Sequence, residues 1–212
     1  MAELFCVCAA RLNDEGIYFH EAGDDDSAFA AFKDALESLA ITGKSNEEML
    51  ISTPQIPKSN SFLDQPIFGC DDDPFLYDRN LSFNHDDAQD PDKNQYCRAI
   101  VVFNMALVYS KRDKDKETLH KALFLYSMCL QHVQASSDQV KRSDVVLAAM
   151  NNQAVVLYLM EDFGKARRVL NEMWAMLKQL RSRPASFVKQ DIHGFVHNIL
   201  LLLHSPSLAP AA

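Results

Sequence analysis

Glycine is scarce in this 212-residue chain, six in all, and no two stand side by side. That leaves no glycine-rich loop to cradle a phosphate, and no nucleophile elbow is present either. No apolar run approaches the roughly 20 residues that a bilayer-spanning helix needs. The longest candidate, residues 199–203, reads as one face of a helix. The five cysteines, Cys6, Cys8, Cys70, Cys97 and Cys129, make an odd set without the spacing of a disulfide framework. A secretory signal is missing too, since Glu3 stands where such a segment carries basic residues. The expectation is a reducing compartment, cytoplasmic or alternatively nuclear, and no membrane partner.

Positive charge is thin in the front of the chain. Residues 1–40 carry two basic and nine acidic side chains, residues 41–96 four and eleven, and residues 97–212 fifteen and nine. An acidic front joined to a basic back points to internal attraction or an acidic ligand, or simply to solvated faces of both signs. The basic set Lys141, Arg142, Lys165, Arg167, Arg168, Lys178, Arg181 and Arg183 invites comparison with a nucleic-acid face. A pI near 5.3 and the acidic front argue against one. Lys165, Arg167 and Arg168 flank Ala166 and are expected to face solvent.

Catalytic and metal chemistry finds little footing. His193 and His197 lie one helical turn apart, but the glutamate of a zinc-protease helix and a third ligand are both missing. Cys6 and Cys8 have no second pair to complete a metal site and read as buried small hydrophobes. Residues 90–94 imitate the start of a calcium loop, yet Gln95 and Val101 fall where the glycine and bidentate glutamate belong. The reading is a non-catalytic protein without metal or cofactor.

What the chain does have is a rhythm of small and large residues, present three times. It runs Gly16–Phe19–Ala28–Phe32–Ala35, Ala106–Tyr109–Ala122–Tyr126–Cys129 and Ala154–Leu157–Ala166–Leu170–Met173. Steps of three and four belong to one helix face, and the longer step spans a turn. Each copy is therefore two antiparallel helices in close contact, with the small residues admitting the partner. The second copy carries four extra residues, assigned to a longer turn at residues 111–116. The hairpins are placed at residues 4–39, 96–134 and 139–180. Pro184 opens a last helix with a broad apolar stripe, suited to capping a stack. Residues 205–212 read as a flexible tail.

Between residues 41 and 95 the helical period disappears, and Pro54, Pro57, Pro66, Pro74 and Pro91 accumulate among acids. A loop of that length inside a compact domain is functional or disordered. The apolar clusters around Phe68 and Phe75-Leu76-Tyr77, with Leu81 and Phe83, suit a strand pair or an extended segment lying across the helices.

The three spacings resemble the tetratricopeptide repeat, and Gly23 matches that family's turn glycine. The resemblance implies one all-α domain over residues 1–204, a right-handed superhelix of about three hairpins plus a C-terminal capping helix. It also implies a concave groove lined by the first helix of each pair, where a peptide or helix of a protein partner binds. In that family an asparagine two residues before the small residue of the first helix often bonds a peptide backbone. Asn104 and Asn152 hold that place, and Asp14 holds it in the first copy. An amide suits the task because it both donates and accepts. Phe103, Leu107, Asn151, Val155 and Tyr158 complete the candidate partner-binding surface, with His20 and Lys111 beside them. The lysines and arginines by which some members grip chaperone C-terminal tails are missing. Asn13, Ile17, Ala148 and Asn152 stand there, which disfavours such tails. The expected role is an adaptor or scaffold, and the alternative is a self-associating, homodimeric module. The insert itself is a further candidate for the groove, filling it in cis.

Overall fold

A computed structural model describes residues 2–42, 74–90, 93–112, 115–135, 139–180 and 189–204. The regular structure among them is helical throughout. It comprises α1 (Ala2–Glu21), α2 (Asp25–Thr42), α3 (His85–Gln89), α4 (Asn94–Lys111), α5 (Lys116–Ala135), α6 (Gln139–Leu159), α7 (Phe163–Leu180) and α8 (Lys189–His204). The pairs α1–α2, α4–α5 and α6–α7 pack as hairpins, and they meet through α2–α4 and α5–α6, with α8 against α7. Helices α1, α4, α6 and α8 also touch one another in that order, forming a single row. No helix among the described residues is long and apolar enough to cross a membrane.

The repeated rhythm explains the hairpins. Ala28, Phe32, Ala35, Ala106, Ala122, Tyr126, Cys129, Ala154, Ala166, Leu170 and Met173 are all fully buried. At Gly16 the Phe32 ring of the paired helix lies so close that a Cβ would stand 2.5 Å from it. Only glycine permits that approach. The turns use one device twice. Asp24 N donates to Phe19 O at 2.9 Å and Gly23 N to His20 O at 3.0 Å; Asp162 N donates to Leu157 O and Glu161 N to Tyr158 O, both at 2.9 Å. This paired closure of a helix C-terminus places one residue in the left-handed region, Gly23 at φ 80° and Glu161 at φ 61°.

An aspartate then starts the second helix of every hairpin. Asp24, Asp115 and Asp162 accept the backbone N–H of Ser27, Thr118 and Lys165 at 3.1, 2.9 and 3.2 Å. Hydrogen bonds from those same three residues hold the carboxyls below the usual carboxylate range, as a helix cap requires.

Three features differ from the sequence expectation. Only one of the four extra residues of the second copy lengthens the turn. Asp115 caps α5 seven residues before Ala122, whereas Asp24 and Asp162 cap four before Ala28 and Ala166, so most of the insertion becomes an added helical turn. The stretch 41–95 contains the short helix α3, capped by Asn84, whose Oδ1 accepts Asp87 N at 2.8 Å. Cys8 is exposed, not buried. The Phe68 cluster, the start of the last helix at Pro184 and the tail lie outside the described residues.

Helix α4 sits at the centre. Residues 99–109 are all buried, and Asn104 is their one polar side chain. A helix apolar all round needs cover on every side. Here α2, α5, α1 and α6 supply part of it. The acidic front and basic back meet beside it, where Arg112 bonds Asp25 at 2.8 Å and Asp26 at 2.7 Å.

Candidate functional site

Residues 74–84 form neither helix nor strand. Such a segment lying on protein must find partners for its backbone N–H and C=O groups elsewhere. It finds them in asparagine side chains on the row α1, α4, α6 and α8. Asn198 accepts Phe75 N at 2.7 Å and donates to Phe75 O at 2.6 Å. Asn152 accepts Tyr77 N and donates to Tyr77 O, both at 2.8 Å. Asn104 accepts Leu81 N at 2.9 Å and donates to Leu81 O at 2.7 Å. In each case one amide brackets both polar groups of one residue, as a neighbouring strand would. Asn151 and Asn13 add second donors to Phe75 O and Leu81 O, at 2.9 and 3.1 Å.

The five asparagines are fully buried and hold one another in place. Asn104 Nδ2 donates to Asn13 Oδ1 at 3.0 Å. Asn198 Nδ2 donates to Asn151 Oδ1 at 2.7 Å, and Asn151 Nδ2 donates to Asn152 Oδ1 at 3.1 Å. Behind Asn152 stands Tyr126, whose hydroxyl accepts from Asn152 Nδ2 and pairs with Ser110 Oγ, each at 3.0 Å. Burial keeps the Tyr126 phenol well above its ordinary pKa, so it remains a neutral orienting group. The repeat's aromatic position thereby supports the amide that grips residue 77.

The strap formed by residues 74–84 runs from α8 towards α1, against the order of the hairpins. The bracketed residues 75, 77 and 81 are separated by even steps, the period of an extended backbone.

Its side chains settle into the row. Tyr77 is buried, edge-on to Phe103 at 6.0 Å between centroids and tilted against Phe195 at 6.0 Å. Phe75 meets Phe195 edge-on at 6.0 Å and lies over Gly194, where a Cβ would come within 2.4 Å of its ring. At the α1 end His20 Nδ1 donates to Asn80 Oδ1 at 3.0 Å, and Lys111 Nζ donates to Asp78 O at 3.2 Å. Asp144 on α6 is half-buried, and that desolvation raises its pKa to about 6. Its charge, together with those of Arg79 and Asp78, acts on the Tyr77 phenol, which burial already shifts upward.

The sequence-derived candidates divide accordingly. Asn104, Asn151 and Asn152 contact the strap backbone, and Phe103 contacts Tyr77. Leu107 and Val155 are buried in the helical row. Tyr158 packs on Phe163 across its own turn, with centroids 5.4 Å apart. Asp14 is exposed; the contact expected of it is made one residue earlier by Asn13. Asn198 went unnoticed in the sequence, although a lone amide inside the apolar stripe of α8 marked it. His193 and His197 are exposed. Lys165, Arg167 and Arg168 face solvent as expected. Of the acids in 71–92, Asp87 and Asp90 pair with Lys93, at 3.2 and 3.4 Å. No three His, Cys, Asp or Glu side chains converge as a metal site among the described residues.

Comparison with known protein families, with curated proteins and with solved structures returns no match to this chain.

Proposed function

We propose that the chain is a non-catalytic protein-binding module in which tetratricopeptide-like hairpins present an asparagine-lined groove for an extended peptide. Residues 74–84 are its resident ligand. One observation carries this reading: three amides each bracket the N–H and C=O of a single strap residue. Such contacts read backbone and not side chain, so any extended segment of suitable shape can take them up. Nothing in the strap's own sequence is needed for those bonds.

A partner must compete with a tethered segment. A short tether keeps its ligand at an effective concentration of about millimolar, so binding in trans requires an advantage over the strap or its release. The test compares three full-length baits for capture from a cell lysate, each first checked for helical content by circular dichroism. They are the wild type, Phe75→Ser/Tyr77→Ser, and the latter combined with Asn104→Ala/Asn152→Ala. The reading predicts a partner gained when the strap is weakened and lost when the asparagines are removed. A partner retained by all three would place binding outside the groove.

A further inference from the structure

The strap also reports what the groove selects. Three backbone brackets fix a register at positions 75, 77 and 81, and each position has a different neighbourhood. At the first, an aromatic ring lies on the bare backbone of Gly194, edge-on to Phe195. At the second, Tyr77 fills a box between Phe103 and Phe195 and is buried. At the third, Leu81 packs half-buried against the core between the two amides that hold its carbonyl. Between the second and third positions Asp78 and Arg79 are exposed, Arg79 lying over the Tyr77 ring at 5.5 Å, and Asn80 accepts from His20; none of the three enters a pocket between the helices of the row.

Resting on the groove reading above, we propose that the partner is an extended segment of pattern aromatic–x–aromatic–x–x–x–aliphatic. It enters with the strap's polarity and replaces the strap residue for residue. Gly194 is the specificity-determining residue for the first aromatic. A side chain there would occupy the volume of the ring, although alanine would otherwise favour the helix.

The test is selection of random peptides displayed on phage against the full chain carrying Phe75→Ala/Tyr77→Ala. Enrichment of the pattern supports the proposal. Enrichment of a different pattern overturns it and leaves the groove reading standing. No enrichment overturns both.

A second measurement uses the wild-type chain, so that a poorly folded variant does not decide the matter. Synthetic peptide of residues 74–84, added well above millimolar, must accelerate amide exchange at Phe75, Tyr77 and Leu81 of the chain, while a scrambled peptide must not. Unchanged exchange overturns the proposal. Finally, Gly194→Ala must weaken binding of the selected peptides roughly tenfold or more. Versions with glycine at the first position must lose far less. Equal losses for both would remove Gly194 from the recognition.

Discussion

Asn152 has no hydrogen-bonding capacity left over. Its Nδ2 donates to Tyr77 O and to Tyr126 Oη, and its Oδ1 accepts from Tyr77 N and from Asn151 Nδ2. Asn152→Asp keeps the shape and the acceptor but loses both donors and buries a charge. It should destabilise the chain by about 3 kcal/mol at pH 7, partly recovered on acidification as the carboxyl gains a proton to donate. Urea unfolding at pH 7 and pH 5 checks both the loss and its sign. Glu161 offers the opposite change. It holds a left-handed conformation that Gly23 holds at the equivalent turn, so Glu161→Gly should raise stability by about 1 kcal/mol in thermal unfolding.

Two titrating groups give residue-scale signatures of opposite sign. His132 is buried, bonded to Gln95 and close to the charge of Arg98. Burial first, and Arg98 second, lower its pKa to about 4. The unfolded chain therefore binds that proton first, and stability is lost as pH falls from 6.5 towards 4, by about 2 kcal/mol at pH 5. Asp144, raised to about 6, binds its proton first in the folded chain, so its contribution grows as pH falls through 6. Asp144→Asn should expose the loss due to His132 between pH 7 and pH 5, and His132→Gln should expose the gain due to Asp144. Urea unfolding of both variants across that window separates them.

At the scale of elements, the rhythm of small and large residues was enough to place the six hairpin helices, though not the short α3. Every hairpin boundary depends on a local rule that the sequence carries, such as Asp24, Asp115 and Asp162 as caps. The insertion in the second copy was misplaced because turn and helix lengthen alike in sequence; only the position of the capping aspartate tells them apart. The strap was harder to place. It has no period of its own, since its partners are side chains scattered over α1, α4, α6 and α8. Asn104 and Asn152 were legible through the repeat register. Asn13 fell one position off that register, and Asn198 lies in a helix without a hairpin partner to set one. Gly194→Ala tests the strap as an element. The added methyl group should push Phe75 from its seat, and Phe75→Ala in the same chain should restore the protection that the methyl group removed. Amide exchange at Tyr77 reads both outcomes.

For the whole molecule, the strap joins what the repeats leave separate. Its brackets reach the second and third hairpins and α8, and Asn13 adds a bond from the first, so one extended segment ties the row together along its length. Its departure would leave five buried amides without their backbone partners. An unsatisfied buried polar group costs about 1–3 kcal/mol, so an open groove must be filled by water or by another chain. That is the physical basis for the proposed coupling of partner binding to strap release. Amide hydrogen exchange of the intact chain, read at Phe75, Tyr77 and Leu81, tests this account most directly. It predicts strong protection at all three in the wild type. Asn152→Ala should accelerate exchange at Tyr77 while the amides of α4 and α5 remain protected. Rapid exchange at these three positions in the wild type would contradict the claim that the groove holds its own strap by the backbone.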